Sequence, residues 1–92
     1  MSLELATPEA IFNLLMDAHR AYFSCGVFRE ELYGASVFIE GNNSCLILCL
    51  TVLLSEETKQ EALELARRIG DVVYAYEGNG YTAHRIFLHP GT

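Results

Sequence analysis

Basic side chains are scarce in this sequence of 92 residues. Six Lys and Arg stand against twelve Asp and Glu, which gives a net charge of −6 and an isoelectric point near 4.8. An acidic chain is repelled by phosphate backbones and by anionic lipid, so nucleic acid and membrane surfaces are not expected partners, and a basic protein is a possible one. A membrane-length apolar run is missing too: the longest, Cys45 to Leu54, falls far short of the roughly 20 residues a spanning helix needs. Met1 to Thr7 carries no Lys or Arg and no export pattern, so the expected location is cytoplasmic.

Motifs that carry chemistry are lacking as well. Three cysteines cannot all pair internally. Cys45 and Cys49, four residues apart on an extended strand, lie roughly 13 Å apart, beyond disulfide reach and unable to share a zinc ion. All three cysteines, Cys25 included, read as small apolar residues. His19, His84 and His89 show no metal-ligand spacing. Ser36 and Ser44 sit in no nucleophile elbow, and Gly78-Asn79-Gly80 does not lead into a helix, so it is no phosphate loop. The expectation is no catalytic residue, no metal and no cofactor, in a protein that leans away from being an enzyme.

What the chain has is apolar content. Hydrophobic residues make up 51% and mean hydropathy is +0.21, rich for one small domain with proportionally large surface to keep wet. A second subunit is the simplest place to bury the excess, so a homodimer is expected. The Cys45 to Leu54 run, broken only by Thr51, reads as a central strand covered on both faces. One alternate set, Leu46, Leu48, Leu50, Val52 and Leu54, needs one cover. The other, Cys45, Ile47, Cys49 and Leu53, needs a second.

Local signals place the remaining elements of a single α+β domain over residues 1–92. Thr7-Pro8-Glu9 starts a helix whose apolar positions are Ile11, Leu14, Leu15, Ala18, Tyr22 and Cys25, and Gly26 stops it. Charges at Arg29, Glu30 and Glu31 make Val27 to Leu32 a connector. Tyr33 to Glu40 alternates as a strand, with Ser36, Phe38 and Glu40 on one face, and Gly41 to Ser44 folds it onto the central strand. Ser55, Glu56 and Glu57 open a second helix with its stripe at Thr58, Ala62, Leu65, Ala66 and Ile69, closed by Gly70. Asp71 to Glu77 and Tyr81 to His89 form a final hairpin around Asn79-Gly80, ended by Pro90 and Gly91.

Helix, hairpin, helix, hairpin predicts a four-stranded mixed sheet in chain order with two helices, the middle strands parallel because a helix joins them. The alternative treats Leu3 to Ala6 as a first strand, giving a ferredoxin-like order with an extra C-terminal strand. In element order and charge the chain is similar to small acidic secretion-chaperone-like domains, a likeness of topology that by itself carries no function.

The last hairpin holds the candidate binding residues: Tyr74, Tyr76, Tyr81, His84, Arg85 and Phe87. A two-residue turn aligns Val72, Tyr74, Tyr76, Tyr81, Ala83, Arg85 and Phe87 on one face with Tyr74 opposite Arg85, whereas a longer turn brings Tyr74 opposite His84. Such a tyrosine face suits a protein interface. The expected function is a non-catalytic protein-protein interaction module (adaptor, inhibitor, immunity or chaperone-like protein). The alternative is a small-ligand-binding protein or small enzyme with a pocket beside the 71–89 hairpin, where His84 near Glu77 would serve as the base.

Overall fold

The computed structural model describes residues 5–24, 26–41 and 44–89. Two helices and five strands follow the order α1 (Pro8–Ser24), β1 (Arg29–Leu32), β2 (Ala35–Ile39), β3 (Leu46–Thr51), α2 (Glu56–Ala66), β4 (Gly70–Gly78) and β5 (Tyr81–Leu88). The class is α+β, with one sheet ordered β1-β2-β3-β5-β4 and every pairing antiparallel.

Both helices start where their capping residues dictate. The Thr7 hydroxyl accepts from the Ala10 N–H at 3.1 Å, and Ser55 accepts from the Thr58 N–H at 3.1 Å. These bonds satisfy donors that the first turn otherwise leaves orphaned. Gly26 ends the first helix at a positive φ of 74°, its N–H donating to the Ala21 carbonyl at 2.7 Å. The second helix is shorter than its apolar stripe: it stops at Ala66, residues 67–69 turn, and Gly70 opens β4 instead of capping the helix.

The expected four-stranded mixed sheet is corrected in three places. The supposed connector contains a strand, β1, whose charges are tolerated because an edge strand leaves them in water. Its turn is Tyr33-Gly34, so β2 begins at Ala35 rather than at Tyr33. Next, β3 and β4 point the same way, as a helical crossover requires, but β5 lies between them. A helix is about 10 Å across and strands are about 4.8 Å apart, so a crossover that skips one strand packs as well as one that skips none. Of the Leu3 to Ala6 segment that the ferredoxin-like alternative made a first strand, the described residues Leu5 and Ala6 belong to no strand. Leu3 and Glu4 lie outside the described residues, as do Cys25, the Asn42-Asn43 turn and the Pro90-Gly91 terminator.

The central run also ends early. Thr51, its one polar residue, donates its hydroxyl to the Gly34 carbonyl at 3.0 Å and accepts from the Leu53 N–H at 3.2 Å, turning the chain out of the sheet. Val52 is therefore 72% exposed and Leu53 exposed, while Leu54 folds back into the core.

Both helices lie on one side of the sheet. Ile11, Leu14, Leu15 and Ala18 of α1, with Ala62, Leu63 and Ala66 of α2, close over Val37, Leu46, Leu48, Leu50 and Ile86. The opposite side has no helix among the described residues. Its only fully covered side chains among the described residues are Cys45, Ile47 and Ala83, packed beneath Phe38, Cys49 and Tyr81.

Gly34 locks the sheet to the post-β3 turn. It sits at φ 103°, and a Cβ there would lie 2.7 Å from Leu54 Cδ2. Gly34→Ala is expected to lower unfolding free energy by about 1–3 kcal/mol, the cost of a side chain held at that φ, as read by urea denaturation.

Candidate functional site

The helix-free face is read off the strand register. Cross-strand partners share a face, so one row runs Arg29, Phe38, Ile47, Arg85, Val73 and the next runs Glu31, Ser36, Cys49, Ala83, Tyr76. Thr51 and Tyr81 begin a third row beside the Asn79-Gly80 turn. The grouping of Ser36, Phe38 and Glu40 on one face of their strand matches this arrangement.

The last hairpin obeys neither simple alignment. Its turn has two residues, with Gly78 opposite Tyr81, yet a bulge between Tyr74 and Tyr76 shifts the pairing beyond it. Arg85 thus faces Val73, and Tyr74 faces His84. The extra residue flips alternation, so the single face predicted for Val72, Tyr74, Tyr76, Tyr81, Ala83, Arg85 and Phe87 is split. Tyr76, Tyr81, Arg85 and Phe87 stay on the helix-free face. Tyr74 and His84, with Val72, are on the helix side.

On the helix-free face, the Arg85 guanidinium meets Glu40 through Nε and Nη2, each 3.4 Å from a carboxylate oxygen. The Cys45 thiol donates to the same carboxylate at 2.7 Å, and the Ser44 hydroxyl at 3.3 Å. The thiol, then the guanidinium, hold the Glu40 carboxyl below its ordinary range. Burial first, and then the carboxylate beside it, push the Cys45 thiol up to about 11. Cys45 is thus protonated at neutral pH and is a donor, not a nucleophile. Cys45 was expected only as an apolar filler, because its acceptor Glu40 comes from the strand across the hairpin. Arg85 finds its acid 45 positions away.

On the helix side, Tyr74 and His84 stack edge to face with centroids 5.8 Å apart. They line a cleft of about 220 Å³ with Thr82, Leu63, Glu56 and Lys59. Burial, and secondarily the Arg67 charge, lower the His84 pKa and keep the ring neutral. The carboxylate expected near it was Glu77, but Glu77 pairs with Thr82. The acid in this cleft is Glu56, bound to Lys59 at 3.2 Å. Among the described residues, no three His, Cys, Asp or Glu side chains are grouped to hold a metal, and no helix is long and apolar enough to cross a membrane.

A hollow of about 410 Å³ lies on the helix-free face over the Ser36–Cys49 row. Phe38 and Arg29 bound one side, and Tyr76, Tyr81 and the Asn79-Gly80 turn bound the other. The Arg29 guanidinium carbon sits 5.4 Å from the centre of the Phe38 ring, and the two tyrosines meet edge to face at 6.3 Å. Sequence reasoning reached only the tyrosines. The floor and the Arg29–Phe38 wall come from β1, β2 and β3, which become neighbours of the hairpin only through the β3–β5 pairing. No protein-family model matches the chain, and comparison with curated proteins and with solved structures gave no match.

The Cys45 thiol makes stability depend on alkaline pH. Its folded pKa, about 11, lies above the ordinary 9.0, so its contribution is full below pH 9 and is lost as pH rises through 11. Denaturant titrations between pH 8 and 11 are expected to show the wild type losing on the order of 1–2 kcal/mol more than Cys45→Ala.

Proposed function

We propose that this chain is a non-catalytic protein-protein interaction module, of adaptor, inhibitor, immunity or chaperone-like kind, that acts as a homodimer. The observation that carries the reading is the contrast between the two edges of the sheet. The β1 edge is four residues long, with Arg29, Glu30 and Glu31 exposed, so charge and brevity guard it against pairing. The β4 edge is nine residues long, Gly-Asp-Val-Val-Tyr-Ala-Tyr-Glu-Gly, with neither Lys nor Pro. Val73, Tyr74 and Tyr76 are exposed along it, and Phe87 is exposed on the neighbouring strand.

Such an edge offers backbone donors and acceptors together with aromatic contact area, the combination that strand pairing between subunits uses. A bulge twists the edge without charging it. Isologous contact between two β4 strands buries the same side chains on both copies. The remaining acidic surface suits a basic protein, since a charge of −6 steers a cationic partner toward it. The reactive side chains fit the same reading: Cys45 is held protonated, His84 is held neutral, and the carboxylate in its cleft is committed to Lys59.

Sedimentation equilibrium tests it. The expected result is a dimer at micromolar concentration that tightens as salt rises, because screening relieves repulsion between two chains of −6 each. Tyr76→Lys, a change at an exposed position, is expected to weaken the dimer by about tenfold or more while leaving the circular dichroism spectrum intact. A folded wild type that stays monomeric to about 100 μM would remove the proposal.

A further inference from the structure

The hollow on the helix-free face is built from side-chain size. In the row through Ser36 and Cys49, two adjacent strands each contribute a small side chain to the lining, so these residues form a floor that crosses the strands at about 4.8 Å per step. The neighbouring row carries Phe38 with Arg29 over its ring, and the other side carries Tyr76 and Tyr81. The result is a slot between aromatic walls, and its volume of about 410 Å³ falls within the range of small-molecule sites.

One charged group stands in the wall. Arg29 takes part in no ion pair among the described residues, whereas Arg85, on the same face, is held by Glu40. Glu31 ends the floor row at the outer edge and does not line the hollow. The hydroxyl of Ser36 and the amide of Asn79 also line it. A guanidinium held over a ring by cation–π attraction gives up no N–H donor to an acceptor there, and its forked donors can meet a carboxylate in two parallel bonds. A phosphate dianion would need more than one cation in a chain of this acidity.

We infer that the slot is a binding site for a small planar aromatic carboxylate, its ring between Phe38 and the Tyr76–Tyr81 pair and its carboxylate on the Arg29 guanidinium. The aromatic walls favour a flat ring over a puckered one, since edge-to-face and stacked contacts need a π-face. The single guanidinium favours an anion over its neutral isostere.

The test is an NMR titration of the full chain with benzoate, with benzamide as the neutral probe and cyclohexanecarboxylate as the non-planar one. Saturable shifts confined to residues around Ser36, Phe38, Cys49, Thr51 and Asn79 to Tyr81 are expected with benzoate, and at least about fivefold weaker binding of the other two. Arg29→Gln is expected to weaken benzoate by about tenfold and Arg85→Gln by less than about twofold, with both variants keeping the wild-type pattern of unperturbed resonances. The proposal is overturned by an absence of saturable shifts up to about 20 mM benzoate. It is overturned equally if both arginine variants lose the same affinity, which marks general charge attraction, or if cyclohexanecarboxylate binds as well as benzoate.

Discussion

Strand β3 has to be dry on both faces, and the chain meets that demand in two different ways. On one face, two helices supply a conventional apolar layer over Leu46, Leu48 and Leu50. On the other, no element among the described residues covers it, and yet Ile47 is only 2% exposed. The cover comes from the sheet itself: Phe38 and Tyr81 pack on the small cluster of Cys45, Ile47 and Ala83, with Arg85 directly opposite Ile47. Large side chains on flanking positions can shield one row of a sheet. They leave part of the next row, where Ser36 and Cys49 are small, as a depression. The slot is thus a by-product of covering β3 without a third layer.

The Glu40–Arg85 pair has to be weighed in the same light. Both side chains remain partly in water, where an ion pair is worth little in Coulomb energy. Its larger effect is positional. Anchoring the guanidinium to Glu40 fixes the aliphatic stem of Arg85 beside Ile47, and such stems cover apolar surface well. The Cys45 thiol joins the same carboxylate, so a buried polar atom at the strand's start is satisfied and not orphaned.

Local signals in the sequence carried the two helix starts, the Asn79-Gly80 turn, the β2–β3 hairpin and the burial of the central run as far as Leu50, though not of Val52 and Leu53 beyond it, because each is written in a few adjacent residues. What was not legible was long-range. Nothing in β5 announces that it pairs with β3 in preference to leaving β4 there, since both strands are apolar and aromatic enough for either place. β1 escaped notice because its charges mask a strand that only an edge tolerates. The bulge at Ala75 has no compositional mark either, sitting between two tyrosines that would alternate normally without it. That one residue sent Tyr74 to the helix side, where the alternation of β5 already places His84, and left Tyr76 on the open face with Tyr81, Arg85 and Phe87. The aromatic surface was therefore visible from sequence, while its floor and its cation were not.

Charge balance explains why Arg29 matters more than its exposed position suggests. Acids outnumber bases by twelve to six, so a cation has every statistical opportunity to find a carboxylate. Arg20, Lys59, Arg67 and Arg85 each do so. Among the described residues, Arg29 and Arg68 take part in no ion pair, and Arg29 has Glu31 two positions away on the same strand. What holds it away is the Phe38 ring, where a guanidinium gains dispersion and quadrupole attraction with little loss of hydration. A cation held over an aromatic ring still has its N–H donors to offer. In an acidic protein, that makes the rim of this slot the place on the face where an anion is drawn in and not turned away.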